Sequence, residues 1–74
     1  MNIYILSGNY KEYSDYVADQ PDKFKRKFKY IQNISTIRGL HGIDITIVGT
    51  GMSRADIGQI MDYAALAQAR VDYD

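Results

Sequence analysis

Three short segments hold the residue types that grip anions. Ser7-Gly8-Asn9 combines a hydroxyl, a glycine and a side-chain amide, and Arg38-Gly39 supplies a guanidinium. Thr50-Gly51-Met52-Ser53-Arg54 adds two hydroxyls and a second guanidinium. Hydroxyls, free backbone N–H groups and arginines together suit a phosphate. The spacing matches no nucleotide fingerprint. Gly49-Thr50-Gly51 begins like the dinucleotide signature, but Arg54 stands where its third glycine belongs. The Gly-Lys-Ser/Thr of a Walker loop is missing from the sequence. The same residues also serve as ordinary turn and cap residues without any ligand.

A basic run comes next. Lys23, Lys25, Arg26, Lys27 and Lys29 fall within seven residues and are interleaved with Phe24 and Phe28. Such a segment could hold phosphates and stack on bases. It could equally dock on an acidic protein patch. A third reading is a solvated helix whose cations pair with Glu12, Asp15, Asp19 and Asp22. The whole chain is neutral, with nine basic and nine acidic residues. Residues 11–22 carry −3, residues 23–29 carry +5 and residues 30–74 carry −2. That balance argues against tight nucleic-acid binding at physiological salt.

Tyrosine is abundant, at seven of 74 residues. Its apolar ring and polar tip suit interfaces. Tyr10, Tyr13 and Tyr16 cannot all enter one small core, so half-buried packing or a partner surface is expected.

Catalytic residue types are sparse: one histidine (His41), one glutamate (Glu12) and no cysteine. His41 sits near glycines with no serine or carboxylate arrangement around it, and no metal-ligand spacing occurs. The sequence therefore predicts no enzyme, no metal and no cofactor. Disulfides are excluded.

These residues must be positioned by strands and helices. Asn2–Leu6 reads as a strand covered on both faces, because consecutive residues are apolar. Asn9 caps a helix, with Glu12 completing a capping-box pair. Tyr10, Tyr13, Tyr16 and Val17 follow at helical spacing, and Pro21 closes that segment. Asp22 as a cap favours a short helix over residues 22–29, and the chain then extends to about Asn33. Ser35–Gly39 forms one capped turn ended by glycine. Ile43–Val48 is the clearest strand, with Ile43, Ile45 and Ile47 on one face and Val48 on the other. Ser53 caps the last helix, with Asp56 closing a second capping box. That helix carries the apolar stripe Ile57, Ile60, Met61, Ala64 and Val71, and Arg70 suits its C-terminal dipole. Gly58 is expected to let it pack closely on the sheet.

The expected fold is α/β: one domain over residues 1–74, a three-stranded parallel sheet and two main helices in the order β-α-β-β-α. This is a Rossmann-like half-domain. Area scaling gives about 4,600 Å² of accessible surface, with roughly 60% of the unfolded chain's surface buried. The longest apolar stretch, Ile43–Val48, is six residues, interrupted by Asp44 and Thr46, against about 20 for a bilayer, so a cytoplasmic protein is expected. A unit this small leaves sheet edges and faces bare, which self-association would cover. Ligands in open parallel sheets bind beyond the strands' carboxyl ends, where Ser7, Gly8, Asn9, Arg38, Thr50, Gly51, Ser53 and Arg54 are expected.

The succession Ile3-Tyr4-Ile5-Leu6-Ser7-Gly8, a Tyr-rich helix, Tyr30-Ile31, Ile37-Arg38-Gly39 and Ile47-Val48-Gly49-Thr50 resembles small uncharacterised phage-encoded α/β proteins. The resemblance spans nearly the whole chain through short motifs. It implies a phage context and a compact α/β fold, and no activity. The expected function is that of an accessory or host-interaction protein acting by protein–protein binding, as a homo-oligomer or on a host protein. Tyr10, Tyr13, Tyr16, Lys23, Lys25, Arg26, Lys27 and Lys29 would carry the contact. Two alternatives remain open: a nucleotide or phosphate binder at the strand-end loops, and a weak nucleic-acid binder through residues 23–29.

Overall fold

The computed structural model describes residues 2–74. Four strands form one sheet: β1 Ile3–Leu6, β2 Phe28–Tyr30, β3 Asp44–Ile47 and β4 Arg70–Tyr73. Their spatial order is β2-β1-β3-β4, and every neighbouring pair is parallel. Parallel pairing requires a crossover between strands. Helix α1 (Tyr10–Ala18) and the short α2 (Asp22–Lys25) join β1 to β2, and α3 (Ile57–Leu66) joins β3 to β4. The β2–β3 crossover holds only a 3-10 turn, Ile34–Thr36, yet it buries Ile31 and Ile37 completely. The accessible surface is 4764 Å², close to the size expectation of about 4,600 Å².

Strand alternation divides the core by face. Leu6, Ile45 and Ile47 point toward α3 and pack with Ile31, Ile37, Ile60 and Ala64. Ile5, Phe28 and Val48 point the other way, under Tyr13, Tyr16 and Val17 of α1. The consecutive pair Ile5-Leu6 is fully buried because β1 is central and covered on both faces. Asn9 caps α1 as expected: its side-chain oxygen accepts the Glu12 N–H at 2.9 Å.

Four expectations need correction. The sheet has four strands, not three. The last helix ends at Leu66, the chain turns through Gln68 at φ 57°, and Arg70–Tyr73 pairs with β3. Val71 and Arg70 therefore belong to a strand rather than to the helix stripe. Burying Val71 against the α3-side core outweighs the helix propensity of the alanine-rich stretch before it. Residues 22–29 are also divided. A four-residue helix with Pro21 at its cap position precedes β2, and Phe28 enters the core under α1.

Ser53 does not cap α3. It ends a 3-10 turn (Gly51–Ser53), and Asp56 takes the cap position without a side-chain cap bond. The Asp56 carboxylate instead accepts both Nε and an Nη of Arg54, each at 3.0 Å. Finally, Gly58 does not serve close packing, since a Cβ there would meet nothing within 4 Å. Its place in an exposed helix turn makes it a pure propensity cost. Gly58→Ala should therefore stabilise the fold by about 0.5–1 kcal/mol, measured as a higher midpoint in urea unfolding with an unchanged slope.

Candidate functional site

Strands β1 and β3 are adjacent, while the connections leaving them pass to opposite faces of the sheet. Their carboxyl ends bring Ser7-Gly8-Asn9 together with Gly49-Thr50-Gly51. This is the point where open parallel sheets hold ligands. Here the position is filled by the chain itself. One carboxylate oxygen of Glu12, from the first turn of α1, accepts the Gly8 N–H at 2.7 Å and the Thr50 N–H at 3.0 Å. The Thr50 hydroxyl lies 3.1 and 2.9 Å from the two carboxylate oxygens. The expected capping box is thus only half formed. Asn9 bonds the Glu12 backbone, but the Glu12 side chain passes over Asn9 to Gly8 and across the sheet to Thr50.

The cradle depends on glycine. Gly49 has φ 56°, and a Cβ there would lie 2.6 Å from a Glu12 carboxylate oxygen. A Cβ on Gly51 would lie 2.2 Å from the Leu6 carbonyl oxygen. Backbone N–H bonds from Thr50 and then Gly8, with the Thr50 hydroxyl, hold the Glu12 carboxyl below its usual range. A carboxylate so stabilised is a weak base, and its role here is to tie two loops together.

Arg54 makes a second tie. Its side chain is 10% exposed. One Nη donates to the carbonyls of Ser7 at 3.2 Å and Ile31 at 2.6 Å. The other donates to the Gln32 carbonyl at 2.7 Å and to Asp56. The guanidinium therefore joins the ends of β1 and β2 to the segment leading into α3. The fully buried Ser7 hydroxyl donates to the Asn9 carbonyl at 2.7 Å. Ser53 is exposed and only ends the 3-10 turn. Arg38 is placed elsewhere, in an open apolar groove between the 3-10 turn and α3 that Ile34, Tyr63 and Leu66 also line. The donors a phosphate would need at Gly8 and Thr50 are taken by Glu12, and Arg54 is taken by carbonyls and Asp56. Glu12 went unnoticed as a tie because its partner Thr50 lies 38 residues away. The only trace in the sequence is the glycine on each side of that partner.

The other candidate surface is the flank formed by α1, α2 and β2. The rings of Tyr10, Tyr13 and Tyr30 lie pairwise 5.3–5.5 Å apart between centroids. Tyr10 is 62% exposed. Tyr16 meets Phe28 edge-on at 5.9 Å, and the Tyr13 hydroxyl donates to the Phe28 carbonyl. Burial, and then Tyr10 nearby, pushes the Tyr13 phenol above its usual pKa. In the basic run, Lys25 pairs with Asp22 at 3.1 Å, while Lys23 and Lys27 lie over the Phe24 ring. Asp15 is held by Lys11 and Glu12 by the cradle. The acidic segment therefore neutralises only one cation of the run among the described residues. Lys29 is set apart, because strand alternation points it to the face opposite Phe28 and Tyr30. His41 is exposed in its loop.

Two outcomes follow. The depressed Glu12 carboxyl contributes stability above the ordinary carboxylate range and loses it as pH falls through its lowered folded value. Wild type should therefore destabilise on acidification more steeply than Glu12→Gln, read by urea midpoints from neutral pH downward. The Gly8 and Thr50 amides should lose at least about tenfold of their exchange protection in Glu12→Ala. Arg54→Lys keeps the charge but loses the fork that spans several carbonyls, and should cost about 2 kcal/mol in the same unfolding assay.

Among the described residues no helix is long and apolar enough to cross a membrane, and no group of three or more His, Cys, Asp or Glu residues could hold a metal ion. No known protein family matches this chain, and neither a curated protein nor a solved structure matches it significantly.

Proposed function

We propose that this protein works by binding an acidic protein segment along its α1–β2 flank, as an accessory or host-interaction protein of the phage type. The observation that carries this is the cluster of Tyr10, Tyr13 and Tyr30 at one end of β2, with a mostly unneutralised basic run at the other. Clustered tyrosines offer a rigid apolar surface with polar tips, which costs little side-chain entropy to use. The cations add steering toward an acidic surface and selectivity for it.

A protein partner is favoured over nucleic acid by the spacing. β2 has three residues, so about 10 Å of strand separates the basic turn from the tyrosine rings. Single-stranded binders need cations tracking the backbone beside each stacked base. Here Phe24 is the one exposed ring among the cations, and the Tyr10, Tyr13 and Tyr30 cluster lies at the other end of the flank, which suits an extended peptide. The phage context rests on the resemblance in the chain's short motifs.

The test uses intrinsic tyrosine fluorescence, which no tryptophan obscures. A glutamate-rich peptide containing phenylalanine but no tyrosine or tryptophan and a single-stranded oligonucleotide of equal charge are titrated separately. The peptide should bind more tightly, and Tyr10→Ala and a Lys25/Arg26/Lys27→Gln variant should each weaken it by about tenfold or more. Tighter binding of the oligonucleotide with a steep salt dependence would make this a nucleic-acid surface instead. Peptide affinity unchanged in both variants would remove the flank from consideration.

A further inference from the structure

The two edges of the sheet differ in what they offer to another chain. On the β2 edge, β1 bonds to the Lys27 carbonyl and the Ile31 N–H. By parallel-ladder alternation, the main-chain groups of Phe28 and Tyr30 then face outward. That edge is blunted. It is three residues long, its Phe28 carbonyl already accepts the Tyr13 hydroxyl, Lys27 precedes it and Lys29 is its middle residue. Lysines on a short edge strand are a standard guard against edge pairing.

The β4 edge is four residues long and carries no lysine, and its two charges, Arg70 and Asp72, are of opposite sign. Arg70 and Asp74 donate their N–H groups to β3, at Ile43 (2.9 Å) and Ile47 (3.0 Å). Ala69, Val71 and Tyr73 therefore turn their main-chain groups away from the sheet, and Tyr73 is 66% exposed. The Ala69 N–H is taken by the Ala64 carbonyl, which leaves its own carbonyl as the outward group. Side chains alternate as Arg70, Val71, Asp72, Tyr73 and Asp74. Arg70 and Asp72 share one face and form an exposed in-strand pair at 3.3 Å.

That pattern is self-complementary in one antiparallel register. With Val71 facing the partner's Val71 across a two-fold axis, Arg70 falls directly opposite the partner's Asp72, and Asp72 opposite the partner's Arg70. These positions form non-hydrogen-bonded pairs, where opposed side chains lie closest. The two Val71 residues exchange main-chain bonds, and each Tyr73 N–H meets the partner's Ala69 carbonyl. The register centred on Asp72 would instead oppose two aspartates. We propose that a second copy of this chain docks antiparallel along β4, joining the two four-stranded sheets into one continuous sheet. The β2 flank lies at the far edge of the sheet, so this inference is independent of the peptide-binding reading.

An edge this short makes a small interface, so the dimer should be concentration-dependent. The experiment is sedimentation equilibrium over a concentration series, with circular dichroism to confirm that each variant is folded. Wild type should approach twice the 8.4 kDa chain mass at high concentration. Arg70→Asp and Asp72→Arg each place like charges opposite one another, and each should weaken dimerisation by about tenfold or more. The double variant Arg70→Asp/Asp72→Arg restores opposite charges and should recover the dimer. Tyr73→Pro, which removes an outward N–H, should weaken it, while the Tyr10 and Lys25/Arg26/Lys27 variants should leave it unchanged. A wild type of single-chain mass at every concentration would overturn the proposal. So would a dimer indifferent to both charge reversals, or a double variant no better than the single ones.

Discussion

The carboxylate of Glu12 is the tie on which the upper edge of this sheet depends. It joins the first turn of α1 to the loops leaving β1 and β3. β1 and β3 are the inner strands, so their loops must leave in opposite directions while staying close together. Backbone N–H groups converge there and would repel one another without an acceptor. A carboxylate carried on the adjoining helix supplies one, and glycines at 8 and 49 let it approach, while Gly51 lets its loop pass the Leu6 carbonyl. Arg54 complements it with opposite charge and opposite partners: Glu12 gathers N–H groups, and Arg54 gathers carbonyls. Between them they engage the polar groups at the position where larger α/β proteins hold ligands.

This arrangement explains how so short a chain sustains a parallel sheet. Parallel strands normally need helical cover on both faces. Here α1 and α3 each cover one face, and the β2–β3 crossover manages with a 3-10 turn that buries Ile31 and Ile37. The thin cover over that crossover shows as the groove where Leu66 stays 79% exposed. Chemistry-bearing residues are displaced outward as a result. The strand ends are occupied by internal bonds, and tyrosine and lysine side chains gather on the outer flank.

Much of the frame was legible in the sequence because its signals are local. Asn9 beside a turn cluster marked the start of α1, and the doubly apolar Ile5-Leu6 marked a strand buried on both faces. Ile43, Ile45 and Ile47 gave the phase of β3 correctly. β4 was missed because Val71 continues the spacing of the α3 stripe, and the residue that turns the chain is Gln68 rather than glycine. Asp56 was misassigned because a cap and an arginine partner need the same carboxylate, and the arginine prevailed. Local spacing presents Glu12 as a cap residue and Arg54 as a ligand residue. Apart from Gly8 for Glu12 and Asp56 for Arg54, their partners lie 22–47 residues away, and no local pattern announces them.

The central place of β1 also governs when the fold can form. Ile3 pairs with Phe28 on one side and Asp44 on the other, so β1 must wait for residues far along the chain. The β1–β2 pair alone is too narrow to bury Ile5 and Leu6 on both faces. Glu12 has no bond from Thr50 until the β3 loop has left the ribosome. Such non-local closure slows folding. Until β2 and β3 emerge, β1 is an unpaired apolar strand, and the charged segment 11–29 beside it is the nearest counterweight to aggregation.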